Sequence, residues 1–518
     1  MEKFVARHAG LVTSILSGFD RLVFRGHLQP LIRNGGMFFF LEAAKVRLLD
    51  FKKYVVETSE RVKAAALAEA ERRDRPVVYL ASSATSKEDL ARKLLAEHPL
   101  DKPGLICALK TVEPCMSFEY HRSPDPKQRG LRLRPSKCLH IYKYYQHPTL
   151  GFMHARLQTW FPFNVQVYLN GREWLARQLE RRHSRFERAD NCFIWLGNCV
   201  LAQRLMDEQL ETDWPGVLTA LARSVNPLHD KIFAPLPMDY YWSAYQTEWA
   251  TDLLFRDREA LGELYPALVR HATEHFRSPD VMRFLGQKLH GNFQGEVTTS
   301  CKRRIEGIRV KHWARGNSVK MYDKAGCILR VETTMANPAG FKVLRPHHDD
   351  PDGKLEWKPL RKGVADLHRR AELSQRSNER YLDALSVVED TTPCARIFDT
   401  VATRVVCEGR SYRALHLGDA EDLALLEAIS RGEFVTAGFR NRDLRRLLYP
   451  ASENAARPDQ KRLSAKLSRS LRLLRVHGVI KKIPKTHRYQ LTDRGRQLTA
   501  ALQATRNANL KDLLREAA

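Results

Sequence analysis

The sequence lacks several features that would place it in a familiar class. No apolar run approaches the roughly 20 residues that cross a bilayer. The start, MEKFVARHAGLV, has no basic stretch followed by an apolar core, so we expect no signal peptide. The nine cysteines include no CxxC pair, which favours reduced thiols that serve in packing. No P-loop, GxGxxG or GxSxG motif occurs. These absences predict a cytoplasmic protein that does not enter a membrane.

Acidic residues are scarce relative to basic ones. The chain of 518 residues has 86 Lys plus Arg against 60 Asp plus Glu, a formal charge of +26. Such a surplus attracts polyanions regardless of their sequence, and nucleic acid is the favoured partner because a membrane is not expected. Hydrophobic residues make up 43% of the chain, which is typical of a globular protein with two or three domains.

Hydrophobic periodicity predicts an α+β fold, with an antiparallel sheet core and a helical insert. The predicted division is a helical N-terminal region at 1–74, an α/β domain with an antiparallel sheet at 75–183, a helical region at 184–297, a β-hairpin motif and basic helix that complete the core at 298–390, and a separate domain at 418–518.

Three consecutive predicted strands between Cys138 and Arg172 have one apolar face and one unusual polar face. Flat rings can stack on unpaired bases, while guanidinium and amide groups can bind phosphates and base edges, so this face suits single-stranded DNA or RNA. It could instead hold an active site or pack against another layer. The candidate nucleic-acid-binding residues are His140, Tyr142, His154, Arg156, Gln158, Tyr168, Asn170 and Arg172.

The last hundred residues predict the order helix, helix, basic helix, basic hairpin, helix. The run Leu-Leu-Arg-x-His-Gly-Val-Ile followed by Arg-Tyr-x-Leu-Thr-x-x-Gly-Arg resembles the winged helix-turn-helix family. The resemblance implies a C-terminal winged helix domain that places its third helix in the major groove of DNA and its wing on phosphate. A role in protein contacts is the alternative. The implied DNA-binding residues are Arg462, Lys466 and Arg469 on the helix and Lys482, Lys485 and Arg488 in the wing.

The stretch Gly316 to Pro338 predicts a hairpin that turns at Lys324-Ala325-Gly326. Period-two alternation places Lys320, Tyr322, Arg330 and Glu332 on one face. The string Lys-Met-Tyr-Asp-Lys followed by Leu-Arg-Val-Glu resembles the equivalent stretch of rolling-circle replication initiators of phages and plasmids. That resemblance implies a nicking site with a tyrosine and a divalent metal, whereas cross-strand charge pairing alone is the alternative. The site residues it implies are Tyr322, Asp323, Lys324, Arg330 and Glu332.

The stretch DYYWSAYQTEWATDLLF predicts a helix with Tyr245, Glu248 and Asp252 along one stripe. Carboxylates could hold Mg²⁺ or Mn²⁺ while a phenolate attacks phosphorus. An exposed polar face of a bundle helix is the alternative. The sequence thus yields a candidate metal set of Glu332, Glu248 and Asp252, with Tyr245 as a second candidate nucleophile.

The leading hypothesis is metal-dependent cleavage and joining of DNA strands by a protein of a mobile or replicating element, similar to an initiator or transposase. Two alternatives stay open. One is a non-enzymatic protein that binds RNA or single-stranded nucleic acid, and the other is a transcriptional regulator whose only site is the winged helix. The sequence gives no indication of the oligomeric state.

Overall fold

A computed structural model describes residues 1–82, 84–121, 124, 130–287, 297–304, 307–346, 350, 353–388, 394–431, 434, 438–450, 456–484 and 486–508. The strands are β1 Val12–His27, β2 Val77–Tyr79, β3 Gly104–His121, β4 Gly130–His147, β5 Gly151–Gln158, β6 Val165–Asn170, β7 Phe186–Ala189, β8 Cys192–Leu196, β9 Tyr241–Phe255, β10 Val297–Arg304, β11 Gly307–Ala314, β12 Asn317–Lys324, β13 Ile328–Met335, β14 Lys342–Arg345, β15 Glu356–Pro359, β16 Val405–Cys407, β17 Arg410–Tyr412, β18 Ile480–Lys482 and β19 Tyr489–Leu491.

Helices surround these strands. They are α1 Glu2–Arg7, α2 Gln29–Ile32, α3 Gly36–Ala43, α4 Phe51–Arg72, α5 Lys87–Glu97, α6 Gly171–Arg181, α7 Cys199–Glu208, α8 Trp214–Val225, α9 His229–Ile232, α10 Arg258–Glu274, α11 Ser278–Leu285, α12 Leu367–Leu385, α13 Cys394–Asp399, α14 Ala420–Ile429, α15 Asn441–Leu448, α16 Arg457–Val476 and α17 Asp493–Asn507. Among the described residues, no helix is both long enough and apolar enough for a bilayer crossing.

One sheet of 11 strands dominates the fold, in the order β10-β11-β12-β13-β9-β1-β6-β5-β4-β3-β2. Its neighbours pair antiparallel except β2 and β3, which run parallel. The mixed α/β architecture with a mainly antiparallel sheet is therefore confirmed. The sheet takes strands from 1–74, 75–183, 184–297 and 298–390 alike, so these ranges build one common layer.

Two segments predicted as helical are strands, and both lie at the centre of the sheet. β1 spans Val12–His27 and pairs along its length with β9, which spans Tyr241–Phe255. The last nine residues of β9 are all buried. A strand covered on both faces does not alternate between apolar and polar residues, so period two is hidden in its sequence. The prediction of a helix over Tyr245, Glu248 and Asp252 is wrong for this reason.

The two faces of the sheet differ in character. The apolar face of β5 and β6, including Met153, Leu157 and Val167, packs into a large core with α4, α6 and α8. Strands β11 to β13 place Val319 and Met321 against α10, α11 and α12 on the same side. The other face is polar along the centre. Helix α5 covers its β3–β5 end, where Ala91 and Leu94 pack on Tyr142, Tyr144 and Phe152.

The C-terminal residues form a separate core. It joins α14 to α17 with Val401 and Leu415, and Ile397 and Phe398 pack against it, so this unit begins before residue 418. The predicted order of helices and hairpin matches α14, α15, α16, β18–β19 and α17. The unit contacts the helices behind the sheet, because Arg283 Nη1 donates to Gln503 Oε1 at 3.1 Å. The polar face of the sheet lies on the other side.

Candidate functional site

Three carboxylates meet at the centre of the polar face. They are Asp20 on β1, Glu248 on β9 and Glu332 on β13, three adjacent strands. One carboxylate oxygen of each lies within 4.8 Å of the others, and all three residues are buried. A β-bulge brings Asp20 here: the register passes from Phe19 opposite Trp249 to Arg21 opposite Glu248, which leaves Asp20 as the extra residue. We call these three residues the carboxylate cluster.

Two side chains of β12 contact the carboxylate cluster. Lys320 lies directly opposite Glu332, and Tyr322 lies opposite Arg330, so the hairpin has the cross-strand pairing that was the alternative to a nicking site. Lys320 Nζ is 2.5 Å from Glu332 Oε1 and 3.4 Å from Glu248 Oε2. The Tyr322 hydroxyl donates a hydrogen bond to Glu332 Oε2. Glu332 is therefore the acceptor at which the phenol and the ammonium converge.

The pKa values of Glu248 and Glu332 are shifted in opposite directions by their surroundings. Burial, and then the negative charge of Glu332, raise the pKa of Glu248 to about 7. Burial acts in the same direction on Glu332, but the Lys320 ammonium and a hydrogen bond with Glu248 outweigh it and hold its pKa below the ordinary value. Burial, and then Glu332, raise the pKa of Tyr322 well above 10. The pair thus shares a negative charge that a proton or a bound cation would offset.

The donor set fits a hard divalent cation. The carboxylate cluster offers three carboxylate groups from three rigid strands, and Mg²⁺ and Mn²⁺ prefer oxygen ligands. Gln246 Nε2 donates to Glu248 Oε1 at 2.9 Å, and Asn191 Nδ2 donates to Asp20 Oδ1 at 2.6 Å. Each of these hydrogen bonds fixes the orientation of one carboxylate, as outer contacts do around bound metals.

A buried ion-pair network lies next to the carboxylate cluster on the same face of the sheet. Arg330 donates to both oxygens of Asp252, from Nε at 2.5 Å and from Nη2 at 2.8 Å. Arg172 Nη2 lies 2.9 Å from Asp252 Oδ2, and Arg330 Nη1 lies 3.1 Å from Asp20 Oδ1. Two guanidiniums occupy Asp252, whereas Asp20 offers an oxygen beside Glu248 and Glu332, so the group that could hold a metal differs from the predicted set in this one residue. Arg330 and Arg172 are wholly buried, so they position carboxylates and cannot contact nucleic acid.

The other predicted catalytic residues lie outside the carboxylate cluster. Asp323 points to the opposite face, because it follows Tyr322 in an alternating strand. Lys324 Nζ lies 3.5 Å from Asp190 Oδ2. Tyr245 is 43% exposed, and its ring lies 3.3 Å beneath the Arg25 guanidinium. These contacts separate Tyr245 from the carboxylates that the helical stripe had placed beside it.

The polar face of β5 and β6 is confirmed in part. Tyr168 lies opposite His154, and Arg156 lies opposite Gln166, so they share the face of the carboxylate cluster. The His154 and Tyr168 rings stack with centroids 4.9 Å apart and planes within 7°. We call this pair the stacked rings. Arg156 Nη1 donates to Glu113 Oε2 at 3.0 Å.

Several residues predicted to bind nucleic acid are buried by structural contacts. Tyr142 donates to Glu113, and Gln158 donates to backbone carbonyls of Met116 and Trp160. Asn170 caps α6 through Oδ1, and His140 is fully buried. A polar residue in a strand can satisfy backbone groups as readily as a ligand, and spacing alone does not distinguish the two.

On the C-terminal unit, Arg462, Arg469 and Lys482 are exposed as predicted. Lys466 Nζ bonds Glu421 Oε1 at 2.6 Å. Arg488 is 9% exposed and donates to the Gly438 carbonyl at 3.1 Å, so in contrast to Lys482 its guanidinium is largely buried in the unit. Lys485 lies outside the described residues.

Sequence reasoning missed Asp20 and Arg21. The one local signal is the charged pair itself, which interrupts the apolar run SILSGFDRLVF. Comparisons of the chain with protein-family models, with curated proteins and with solved structures find no match.

Proposed function

We propose that this protein is a cytoplasmic DNA-binding enzyme of a mobile or replicating element that cuts and rejoins DNA strands with a divalent metal ion. The observation that supports this most is the carboxylate cluster beside Tyr322 and Lys320 on a polar sheet face. Lys320 and Arg330 neutralise part of this charge, but burial and the charge of Glu332 still raise the pKa of Glu248 to about 7, which indicates that the repulsion between the two glutamates is not fully offset.

The proposed chemistry is transesterification, in which the Tyr322 oxygen replaces the 3′ oxygen at a DNA phosphodiester. A divalent ion held by the carboxylate cluster would polarise the phosphodiester and offset the charge that develops on its oxygens. Glu332 is the group that receives the Tyr322 proton along their hydrogen bond, and a bound divalent ion would have to lower the high pKa of this phenol for the transfer to occur. The phenolate oxygen bonds to the 5′ phosphate, the bond from phosphorus to the 3′ oxygen breaks, and the proton ends on that leaving oxygen. Reversal of these steps rejoins the strand without another energy source.

Lys320 has the position of an electrostatic partner. Its ammonium lies between Glu332 and Glu248, and their charges, after burial has acted in the opposite direction, raise its pKa above the ordinary value. It stays protonated and balances the carboxylates before substrate arrives. It also lies next to the place where the transferred phosphate would be negatively charged.

The C-terminal unit is proposed as a winged helix that binds duplex DNA. Phe439 forms an isolated β-bridge to Tyr489 at the edge of the β18–β19 hairpin, which supports the winged arrangement. Helix α16 buries Leu467, Leu471 and Leu474 and leaves Arg462 and Arg469 exposed. An exposed basic face on that helix suits the phosphates and base edges of a major groove.

The test uses end-labelled single-stranded oligonucleotides incubated with the protein and Mn²⁺, then separated under denaturing conditions. Wild-type protein should give a cut strand and a covalent protein–DNA adduct. Tyr322→Phe should remove the adduct, and Glu332→Gln should remove both products. Tyr245→Phe is the matched control, since that ring packs under Arg25, and it should keep both. Absence of cutting by wild type across a panel of DNA and RNA substrates would overturn the proposal.

A second function is favoured by a different observation, the stacked rings. They could support a non-enzymatic protein that binds single strands by base stacking. This candidate predicts tight binding in EDTA that Glu332→Gln leaves unchanged, together with no cut product.

A further inference from the structure

The polar face extends beyond the carboxylate cluster on both sides, and one line of directly opposed residues crosses six strands. From β11 to β6 this line runs through Trp313, Ser318, Thr334, Glu248, Arg21 and Asn170. The neighbouring line places Lys311 opposite Lys320, and Lys320 opposite Glu332. The carboxylate cluster is thus in the middle of a continuous surface rather than at its end.

The flank on β10 and β11 is basic and open. Trp313 is 44% exposed, and Lys302 is exposed at the outer strand, opposite Arg309. The helices that pack on these strands, α10 and α11, contact Val310 and other residues of the reverse side. We call Trp313, Lys302 and Lys311 the basic flank. An accessible ring with nearby ammonium groups suits a base and its adjoining phosphates.

Arg21 connects the carboxylate cluster to the flank on the other side. Its Nε lies 3.8 Å from Asp20 Oδ2 and 4.0 Å from Glu248 Oε2, and its side chain is 49% exposed. The buried Arg330 and Arg172 cannot reach a substrate, whereas Arg21 can contact one. Beyond it, Val23 lies opposite Tyr168, the first of the stacked rings.

The width of this surface, measured across the strands, indicates how long a ligand it can hold. Strands lie about 4.8 Å apart, so the seven strands from β10 to β6, which helix α5 leaves uncovered, span roughly 29 Å. That length exceeds a mononucleotide and fits several nucleotides of an extended chain. An enzyme that acts on strand ends needs a surface on one side of its reacting groups only. Here both flanks carry groups that suit nucleic acid.

We propose that single-stranded DNA crosses the sheet perpendicular to its strands, and that the carboxylate cluster acts on an internal phosphodiester bond. Bases of one flank stack on Trp313, with phosphates on Lys302 and Lys311. Bases of the other flank contact the stacked rings, and Arg21 holds the phosphate at the carboxylate cluster. This inference rests on the proposed function for its chemistry, and the bond changes are those given above.

The path is tested by binding in EDTA, where no cutting occurs. Labelled single-stranded DNA circles and linear strands of equal length are titrated with full-length protein, and we expect equal affinity. Trp313→Ala should weaken binding roughly 5- to 150-fold, the range for loss of one stacked base. Trp195→Ala is the matched control at 45% exposure on β8 and should change affinity less than twofold. Tyr168→Ala should weaken binding over the same range as Trp313→Ala.

Charge is tested separately through the salt dependence. The double variant Lys302→Gln/Lys311→Gln should lower the slope of log affinity against log salt by about 1.4, since each phosphate contact to a single strand contributes about 0.7. Lys52→Gln/Lys53→Gln on α4 makes the same change in net charge away from the face and should leave the slope unchanged. Equal slopes for both double variants, failure to bind circles, or tighter binding of RNA with the same sequence would each overturn the inference.

Cleavage then separates this inference from the proposed function. With Mn²⁺ restored, cutting of linear strands together with intact circles would overturn the internal position and leave the proposed function standing. Normal binding of circles with no cutting of either substrate would overturn the proposed function and keep the path. Cutting of both would support the two together.

Discussion

Replacement of Glu332 should remove most of the thermal stabilisation that the proposed divalent ion would give to this fold. A ligand present at a hundred times its Kd stabilises the folded state by about 2.7 kcal/mol. Unfolding entropy of about 2.1 cal/mol/K per residue gives roughly 1.1 kcal/mol/K for 518 residues. Wild-type protein should therefore melt about 2.5 °C higher with Mn²⁺ than in EDTA.

Glu332→Gln keeps the shape of the side chain and removes its charge. Residues that only orient a metal ligand already change affinity 10- to 100-fold, so loss of a direct ligand should cost at least 100-fold. At the same Mn²⁺ concentration the stabilisation then falls to about 0.4 kcal/mol, and the increase in Tm to under 0.5 °C. Each variant is compared with its own melting temperature in EDTA, because the substitution also removes the partner of Lys320.

The matched control is Asp190→Asn. Asp190 lies near the site on the turn between β7 and β8, but its side chain is 73% exposed and pairs with Lys324. It should keep the full Mn²⁺ effect. Differential scanning fluorimetry with Mn²⁺ and Mg²⁺ gives the measurement. Equal stabilisation of wild type and Glu332→Gln would show that the ion binds elsewhere, and no stabilisation of wild type at millimolar metal would refute a metal site.

Three further predictions concern the fold and its parts. Arg330→Met should lower the free energy of unfolding by about 3–5 kcal/mol, because buried carboxylates lose their partner. Urea denaturation measures this, and a loss no larger than that of the exposed Arg376→Met would contradict it. Burial lowers the pKa of His312 to about 4. As the pH falls below about 6.5, the unfolded chain therefore takes up a proton at this side chain before the folded chain does. The free energy of unfolding should decrease over that range by up to roughly 3 kcal/mol. His312→Gln should flatten that dependence in urea titrations at pH 7.5 and 5, and an unchanged slope would refute it. Truncation after Val388 should abolish duplex DNA binding in gel shifts while the sheet domain stays folded by circular dichroism; unchanged duplex affinity would refute the proposed winged helix.

Local pairing could be predicted from the sequence, and distant pairing could not. The β12–β13 hairpin turns at Ala325 and Gly326, which both have positive φ, and its short turn fixes Lys320 opposite Glu332. The alternation that defined this hairpin is visible because one of its faces is polar. The same reasoning placed Tyr168 and His154 on one face.

The third carboxylate escaped prediction for a physical reason. Asp20 joins the carboxylate cluster through a bulge in β1, and β1 pairs with β9 more than two hundred residues later. No short stretch of the sequence indicates that β1 pairs with β9. Asp252 was chosen in its place because it lies four residues from Glu248, a spacing that shares a face in a strand as well as in a helix. Its neighbours Arg330 and Arg172 become evident only when the sheet is assembled.

The chain order of the central strands has a consequence for biosynthesis. β1 leaves the ribosome early, but its partner β9 follows only after strands β2 to β8. β13 emerges roughly 300 residues after β1, which takes about 15 to 60 seconds at 5–20 residues per second. Until β9 emerges the nascent chain holds only Asp20 of the carboxylate cluster, and until β13 emerges it holds only two of the three carboxylates that could surround an ion. The unpaired β1 is an apolar edge that invites aggregation or chaperone binding until β9 arrives. A chain that would cut DNA therefore gains that capacity only after about two thirds of its synthesis, once β13 is complete at Met335.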